Sequence, residues 1–217
     1  MKNKQTHFTI ASFACLIFVM LGYVIKFYPE TVASFDMTIQ SAMRGDLPAG
    51  LTTFFSTITV IGNTLTQVIL VVVAFLALYF WKQWKAEGGF VAVSGIAAAC
   101  FILTFKYIYR RDRPSITHLV EAHGYSFPSG HSMGTMLIIG SLIVIVHQRM
   151  KAGLARTFCE LLLACLIGLI GLSRIYLGVH YPTDVIAGFT LGFGVLHLIY
   201  PFYDQKRFEL RFQGKQK

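Results

Sequence analysis

Long apolar runs recur along this chain, and they constrain its fold more than any other feature. Six of them occupy residues 8–27, 65–81, 90–109, 132–147, 158–177 and 181–200. A helix needs about 20 residues, within a range of roughly 17–25, to cross the hydrocarbon core of a bilayer. Of the 217 residues, 55% are hydrophobic and only 13% are charged, against about 25% charged in ordinary soluble domains. The expectation is an all-α, polytopic membrane protein with six transmembrane helices. The fourth run is short and is expected to extend outward through His131. Only residues 178–180 divide the fifth from the sixth. With no Pro/Ser-rich linker, low-complexity stretch or evident repeat, residues 1–217 read as a single transmembrane domain.

Positive charge orients the six spans. Lys2, Lys4, Lys82, Lys85, Arg149, Lys151, Arg156, Lys206, Arg207, Arg211, Lys215 and Lys217 fall on one side, twelve of the nineteen Lys and Arg. The other side holds Lys26, Arg44, Lys106, Arg110, Arg111, Arg113 and Arg174. Cytoplasmic loops carry the Lys/Arg excess, so both termini are expected in the cytoplasm of a plasma-membrane protein. The net charge of +9 is mostly this topological signal, together with attraction to anionic headgroups. No basic stripe on a soluble surface points to nucleic acid.

Lys2 and Lys4 ahead of an apolar run imitate a signal peptide, with Thr31-Val32-Ala33 as a poor cleavage site. The run exceeds the usual span of about 7–15 apolar residues and reads as an uncleaved first helix. Residues 31–63 read as an extracytoplasmic segment. In it Phe35, Ile39 and Met43 share one helical face, and Leu51, Phe55 and Ile58 another. Such faces suit an interfacial helix and equally packing against other helices. Cys15, Cys100, Cys159 and Cys165 all lie in apolar runs without metal-ligand spacing; they read as small buried residues, with no disulfide.

The chemistry concentrates at the outer ends of spans three to six, where ionisable residues are costly and by default mark function. Lys106 is followed seven residues later by Arg113 and then Pro114. Lys as a point charge and Arg as a bidentate fork can clamp a phosphate; taken alone, the pair also reads as a basic flank snorkelling to the headgroups. Pro128-Ser129-Gly130-His131 precedes the fourth span. A capped helix start with a glycine offers backbone N–H groups and a partial positive charge to an anion, and His131 is placed to donate a proton. Ser173-Arg174 ends the fifth span, and His180 and Asp184 open the sixth. Four residues apart, these two share a face if the helix begins near His180. Asp184 would then fix the imidazole tautomer and leave the other nitrogen free to attack. His131, His180 and Asp184 are also metal-ligand types, but Arg113 and Arg174 would repel a cation.

Written as patterns, the three segments are K-x6-R-P, P-S-G-H and S-R-x5-H-x3-D, in that order. Together they resemble the type 2 phosphatidic acid phosphatase (PAP2) superfamily, with every defining position filled between Lys106 and Asp184. The six-span layout extends the likeness to the integral-membrane bacterial branch, typified by phosphatidylglycerophosphatase B and undecaprenyl-pyrophosphate phosphatases. The resemblance implies that His180 attacks phosphorus to give a phosphohistidine, Asp184 orients it, and His131 protonates the leaving group. It implies that Lys106, Arg113, Ser129, the Gly130 backbone and Arg174 bind the phosphoryl oxygens, with no metal or other cofactor.

Arg110 and Arg111 read as solvated or headgroup-facing charges, with Asp112 paired to one of them. His118, Glu121 and His123 read as loop residues on the motif side, and His147 and His197 as structural. Catalytic groups at headgroup depth imply a lipid phosphate that enters sideways from the bilayer. The alternatives are a phosphotransferase using the same intermediate and a non-catalytic lipid-binding membrane protein, for which a missing His or Asp would be the signature. The phosphate site also resembles that of vanadium haloperoxidases, but those are soluble.

Overall fold

The computed structural model describes residues 4–215, so Lys2 and Lys217, counted above with the positive side, lie outside the described residues. Its elements are α1 (Lys4–Phe27), α2 (Glu30–Arg44), α3 (Ala49–Ile58) with a 3₁₀ turn (Thr59–Gly62), and α4 (Thr64–Leu76) with a π turn (Ala77–Trp81). They continue with α5 (Lys85–Tyr109), α6 (Gly130–Arg149), α7 (Leu154–Tyr176) and α8 (Pro182–Phe212). The described residues contain no strand. Six of these segments are long and apolar enough to cross a membrane: α1, α4 with its π turn, and α5 to α8. The chain is an all-α, multi-pass membrane protein.

The spans match the apolar runs but exceed several of them. α6 starts at Gly130, so His131 lies within the helix. α8 runs past Pro201 to Phe212, whereas the sixth run ends at Tyr200. Proline removes one helical hydrogen bond, and packing carries the helix through: the Tyr203 ring stacks on Phe90 with centroids 4.2 Å apart. Thirty-one residues at about 1.5 Å each overshoot a hydrocarbon core of about 30 Å, so one end of α8 projects beyond it.

The core lies between α1, α5, α6 and α8, around Phe18, Phe90, Phe127, Met133, Leu137, Leu191 and Val195. At the end away from the motifs, buried Glu87 of α5 pairs with Arg149 of α6 at 2.6 Å and Arg207 of α8 at 3.2 Å. His147 bonds Glu160, and His197 bonds His7. The cysteines are not the buried residues expected of them: Cys100 and Cys165 are exposed on the helix surfaces, and Cys15 and Cys159 half-buried, all as free thiols. Facing the lipid costs a small apolar thiol little.

α2 and α3 pack over the motif end of the bundle. In α3, Phe55 packs on Tyr176 with ring centroids 4.8 Å apart, while Leu51 stays exposed. In α2 the buried residues are polar, Asp36 and Gln40, whereas Phe35 is exposed. Of the two readings of this segment, packing of the apolar face against other helices is therefore not what buries α2.

Candidate active site

The three motifs meet because short backbone contacts fasten their segments. Ser129 N–H donates to the Asp184 carbonyl at 3.0 Å, joining the start of α6 to the first turn of α8. Gly188, one turn on, permits that approach: a Cβ there would lie 2.7 Å from the Ser129 carbonyl oxygen. Residues 177–181 form the tight turn from α7 to α8. Both Val179 N–H and His180 N–H donate to the Arg174 carbonyl, at 3.2 and 3.3 Å. Gly178 sits at φ +78°, with Thr117 O 2.8 Å from where a Cβ would stand, so both conformation and space require glycine.

α8 begins at Pro182, which leaves His180 outside the helix rather than on its face. The pair forms nonetheless, because Asp184 at the third helical position reaches back. Its Oδ2 lies 3.3 Å from His180 Nδ1 and accepts from Tyr181 N–H at 2.9 Å. A carboxylate in the first turn also favours the helix dipole. With Nδ1 directed at Asp184, Nε2 is the free nitrogen, 3.4 Å from Arg113 Nη1. Burial pushes the His180 imidazole down to about 4, against the raising effect of Asp184 and with further lowering by Arg174 and Arg113. At neutral pH the ring is uncharged and Nε2 keeps its lone pair.

Cations surround that nitrogen. Lys106 donates to the Tyr125 carbonyl at 2.7 Å. The chain leaves α5 through Arg110 at φ +50°, and this reversal lets Arg113 return over the turn. The Arg113 guanidinium donates to the carbonyls of Gly124 (3.0 Å), His123 (2.9 Å) and Val179 (2.7 Å). Burial lowers Arg113 from its ordinary value and Asp184 opposes this; guanidinium remains charged. Arg174 is buried and donates to Thr59 Oγ1 at 2.7 Å. Its Nε is buried with no hydrogen-bond partner among the described residues. A buried, unpaired guanidinium N–H is costly, and an anion in the adjacent space would satisfy it.

Lys106, Arg113, Gly130, His131, Arg174 and His180 all line one cavity of about 590 Å³. The first N–H groups of α6 have no intrahelical acceptor and lie at its wall through Gly130. Ser129 differs from its expected setting. Its hydroxyl is buried, accepts from Ser132 Oγ at 2.9 Å and from Ser132 N–H at 3.4 Å, and does not line the cavity. From the charged end the cavity continues between α4 and α5, along Val68, Val72, Ile96, Ala99 and Leu103. Four of these, Val68, Val72, Ile96 and Leu103, are also exposed on the outer surface of the bundle. No three His, Cys, Asp or Glu side chains among the described residues gather as metal ligands.

Several contributors escaped the motif reading. Asn63 Oδ1 lies 2.9 Å from His131 Nε2, and Thr59 holds Arg174. The 3₁₀ turn between them thus steadies two motif residues. Arg111 is not headgroup-facing and does not pair with Asp112. Its side chain is 14% exposed and bonds Asp184 Oδ1 and Asp36 Oδ2, each at 2.7 Å. Burial opposes its charge, but Asp184 and Asp36 outweigh that and hold Arg111 above its ordinary value. Arg110 turns outward, its Nε donating to Tyr107 O. His118 bonds the Pro114 carbonyl, while Glu121 and His123 stand at the cavity wall. For Asn63 the signal available was a polar residue beside an apolar run, which many loop residues share; Asp36 and Thr59 carried no such signal.

The chain is 29% identical over 196 residues to phosphatidylglycerophosphatase B of Bacillus subtilis (strain 168), covering 89% of this chain and 95% of that protein. It is 27% identical over 152 residues to the undecaprenyl-diphosphatase BcrC of the same organism, covering 66% and 74%. The crystal structure of a transmembrane PAP2-type phosphatidylglycerolphosphate phosphatase from Bacillus subtilis superposes with a TM-score of 0.81 at 25% identity, covering 90% of this chain and 96% of that one. The model of the PAP2 superfamily matches residues 87–208, a span that holds all three motifs and more than half the sequence, and the chain therefore belongs to the PAP2 superfamily.

Proposed function

We propose that this PAP2 phosphatase hydrolyses a phosphomonoester or pyrophosphate of a membrane lipid through a phosphohistidine on His180, on the extracytoplasmic face and without a metal ion. The observation that carries this reading is the shape of the cavity. One end is ringed by Lys106, Arg113, Arg174 and the start of α6; the other is an apolar slot between α4 and α5 that reaches the bundle surface. A phosphate with hydrocarbon chains attached fits both ends at once. A soluble phosphate would leave the slot empty.

In the first step the Nε2 lone pair of His180 forms a bond to phosphorus as the phosphorus–oxygen bond to the leaving group breaks. The ring gains positive charge, which Asp184 Oδ2 stabilises through Nδ1–H. His131 gives a proton to the departing oxygen. In the second step water attacks phosphorus, His131 takes its proton, and the N–P bond breaks to release phosphate and restore His180. Lys106, Arg113, Arg174 and the Gly130 N–H stabilise charge on the equatorial oxygens throughout. This is positioning plus electrostatics, the usual basis of phosphoryl transfer. Ser129 acts as the cap that fixes the start of α6. Phosphatidylglycerol phosphate and undecaprenyl pyrophosphate are the substrate classes that the relatives' names support, and phosphatidic acid fits the same cavity. The positive excess at the opposite end supports an outer-leaflet position for the motif end.

Phosphate release by the purified protein in detergent with EDTA, measured on these three lipids beside His180→Ala, tests the reading. EDTA-resistant release that the variant lacks is expected, and the rate ranking names the lipid. Release that requires a divalent ion, or that survives in His180→Ala, would overturn the mechanism. A new phospholipid formed with an acceptor lipid, and no free phosphate, would replace hydrolysis by transfer.

A further inference from the structure

The polar stripe of α2 contacts the turn that carries His180. Asp36, Gln40 and Arg44 are spaced four apart and so share one helix face. Gln40 Nε2 donates to the His180 carbonyl at 3.4 Å, and Arg44 donates to the carbonyls of Tyr176 (3.0 Å) and Thr117 (2.9 Å). Asp36 is 1% exposed; it accepts from Thr183 N–H at 2.9 Å, from Thr183 Oγ1 at 2.8 Å and from Arg111 Nη2 at 2.7 Å. Arg111 in turn donates from Nη1 to Asp184 Oδ1 at 2.7 Å and stacks 3.9 Å from the centroid of the Tyr181 ring. A continuous chain of charges therefore runs Asp36–Arg111–Asp184–His180, from an element outside all three motifs to the proposed nucleophile. Neither Asp36 nor Arg111 lines the cavity.

We infer that Asp36 and Arg111 are positioning residues that set the orientation and the effective charge of Asp184 as it supports His180. The inference rests on the phosphohistidine reading above. Arg111 pins Oδ1, which leaves Oδ2 for His180 Nδ1 and Tyr181 N–H and stops the carboxylate from rotating. Left with Asp184 alone, the guanidinium would also neutralise the charge that must steady a phosphorylated, positively charged imidazole. Asp36 takes the second arm of the fork and offsets that positive charge. Two carboxylates and one guanidinium keep a net charge of −1 beside His180. The other charged or titratable groups facing His180 are Lys106 from α5, Arg113 from the following loop, His131 from α6 and Arg174 from α7, with Glu121 and His123 at the cavity wall.

This arrangement makes the two residues act in opposite directions on His180. Asp36→Asn removes a negative charge, so the His180 titration midpoint moves to lower pH. Arg111→Gln removes a positive charge, so it moves to higher pH. A purely structural role would not give shifts of opposite sign. The rate falls in both variants, about 10-fold for Asp36→Asn and about 100-fold for Arg111→Gln, as for other residues that orient a reacting ligand through hydrogen bonds. KM changes little, because neither side chain meets the lipid. Arg111→Lys keeps the charge without the planar fork; it holds the midpoint and loses rate.

The experiment measures kcat, KM and their pH profiles for wild type, Asp36→Asn, Arg111→Gln and Arg111→Lys, with the outward-facing Arg110→Gln as a control expected to match wild type. In parallel, ¹⁵N-histidine NMR of the detergent-solubilised protein follows the His180 ring, assigned by its absence in His180→Ala. Opposite displacements of the midpoint, with kcat lowered and KM within about threefold, are the expected result. An Asp36→Asn midpoint that stays put, or moves with that of Arg111→Gln, would overturn the inference. If wild type releases no phosphate from any lipid, the phosphatase reading fails, and the NMR titration still decides whether Asp36 and Arg111 govern His180. If Arg111→Gln does not fold, the near-isosteric Asp36→Asn carries the decision.

Discussion

His180 combines a buried ring, a carboxylate on Nδ1 and cations before Nε2, and two measurable outcomes follow at the residue scale. Because burial brings the imidazole down to about 4, the acid limb of kcat/KM is expected near pH 4 rather than near the ordinary value of about 6.5. The same displacement affects stability. Above pH 6.5 neither folded nor unfolded chain protonates this group; below it the unfolded chain takes up a proton that the folded chain refuses until about pH 4. Stability is therefore complete at neutral pH and falls across that window, by on the order of 3 kcal/mol, readable as a drop in Tm beyond that of His180→Phe. Asp184→Asn removes the charge that steadies the ring. By analogy with other His–Asp pairs, kcat should fall roughly 100- to 10,000-fold, and phosphate-release kinetics on folded protein would show it. Near-normal turnover by that variant would contradict the assigned role.

Elements, rather than single motif residues, fix how these groups meet. The Ser129–Asp184 backbone bond requires α6 and α8 to touch, and Gly188 provides the space. Gly188→Ala places a methyl against the Ser129 carbonyl and the first turn of α6. Overpacking of this kind costs about 1–3 kcal/mol, so Tm falls and activity falls with it, while a substitution on the lipid-facing surface such as Cys165→Ala changes neither. The 3₁₀ turn between α3 and α4 acts on different atoms. Thr59→Val leaves Arg174 Nη1 without its acceptor, and the freed guanidinium should bind phosphate less well. A several-fold rise in KM with a smaller change in kcat is expected, and unchanged steady-state constants would remove Thr59 from the site.

Over the whole molecule, the slot between α4 and α5 connects the charged end of the cavity with the outer surface of the bundle. Leu103→Trp should narrow it. KM for a lipid phosphate with two long chains should then rise about tenfold, the scale of a lost apolar contact of about 1.4 kcal/mol, while a short-chain, water-soluble phosphate should be hydrolysed as before. Equal losses for both substrates would show that the slot is not the route of the chains. The buried Glu87–Arg149–Arg207 cluster joins α5, α6 and α8 at the opposite end.

Apolar runs of spanning length were sufficient to read the six spans from the sequence, because spanning a bilayer makes length and hydrophobicity nearly the whole requirement. The three motifs were legible because ionised groups beside such runs are costly enough to stand out, and the cavity gathers Lys106, Arg113, His131, Arg174 and His180. Tertiary structure alone decided the rest. Arg111 looks like any flanking arginine until Asp36, some seventy-five residues earlier, is brought within 2.7 Å of it. α2 looks amphipathic with no sign of which face turns inward until Asp36, Gln40 and Arg44 find backbone and guanidinium partners. Ser129 is a local case, the N-cap that the sequence announces, its hydroxyl accepting from Ser132 three residues on. A polar side chain is defined by its partner, and when that partner is distant in sequence only the fold identifies it.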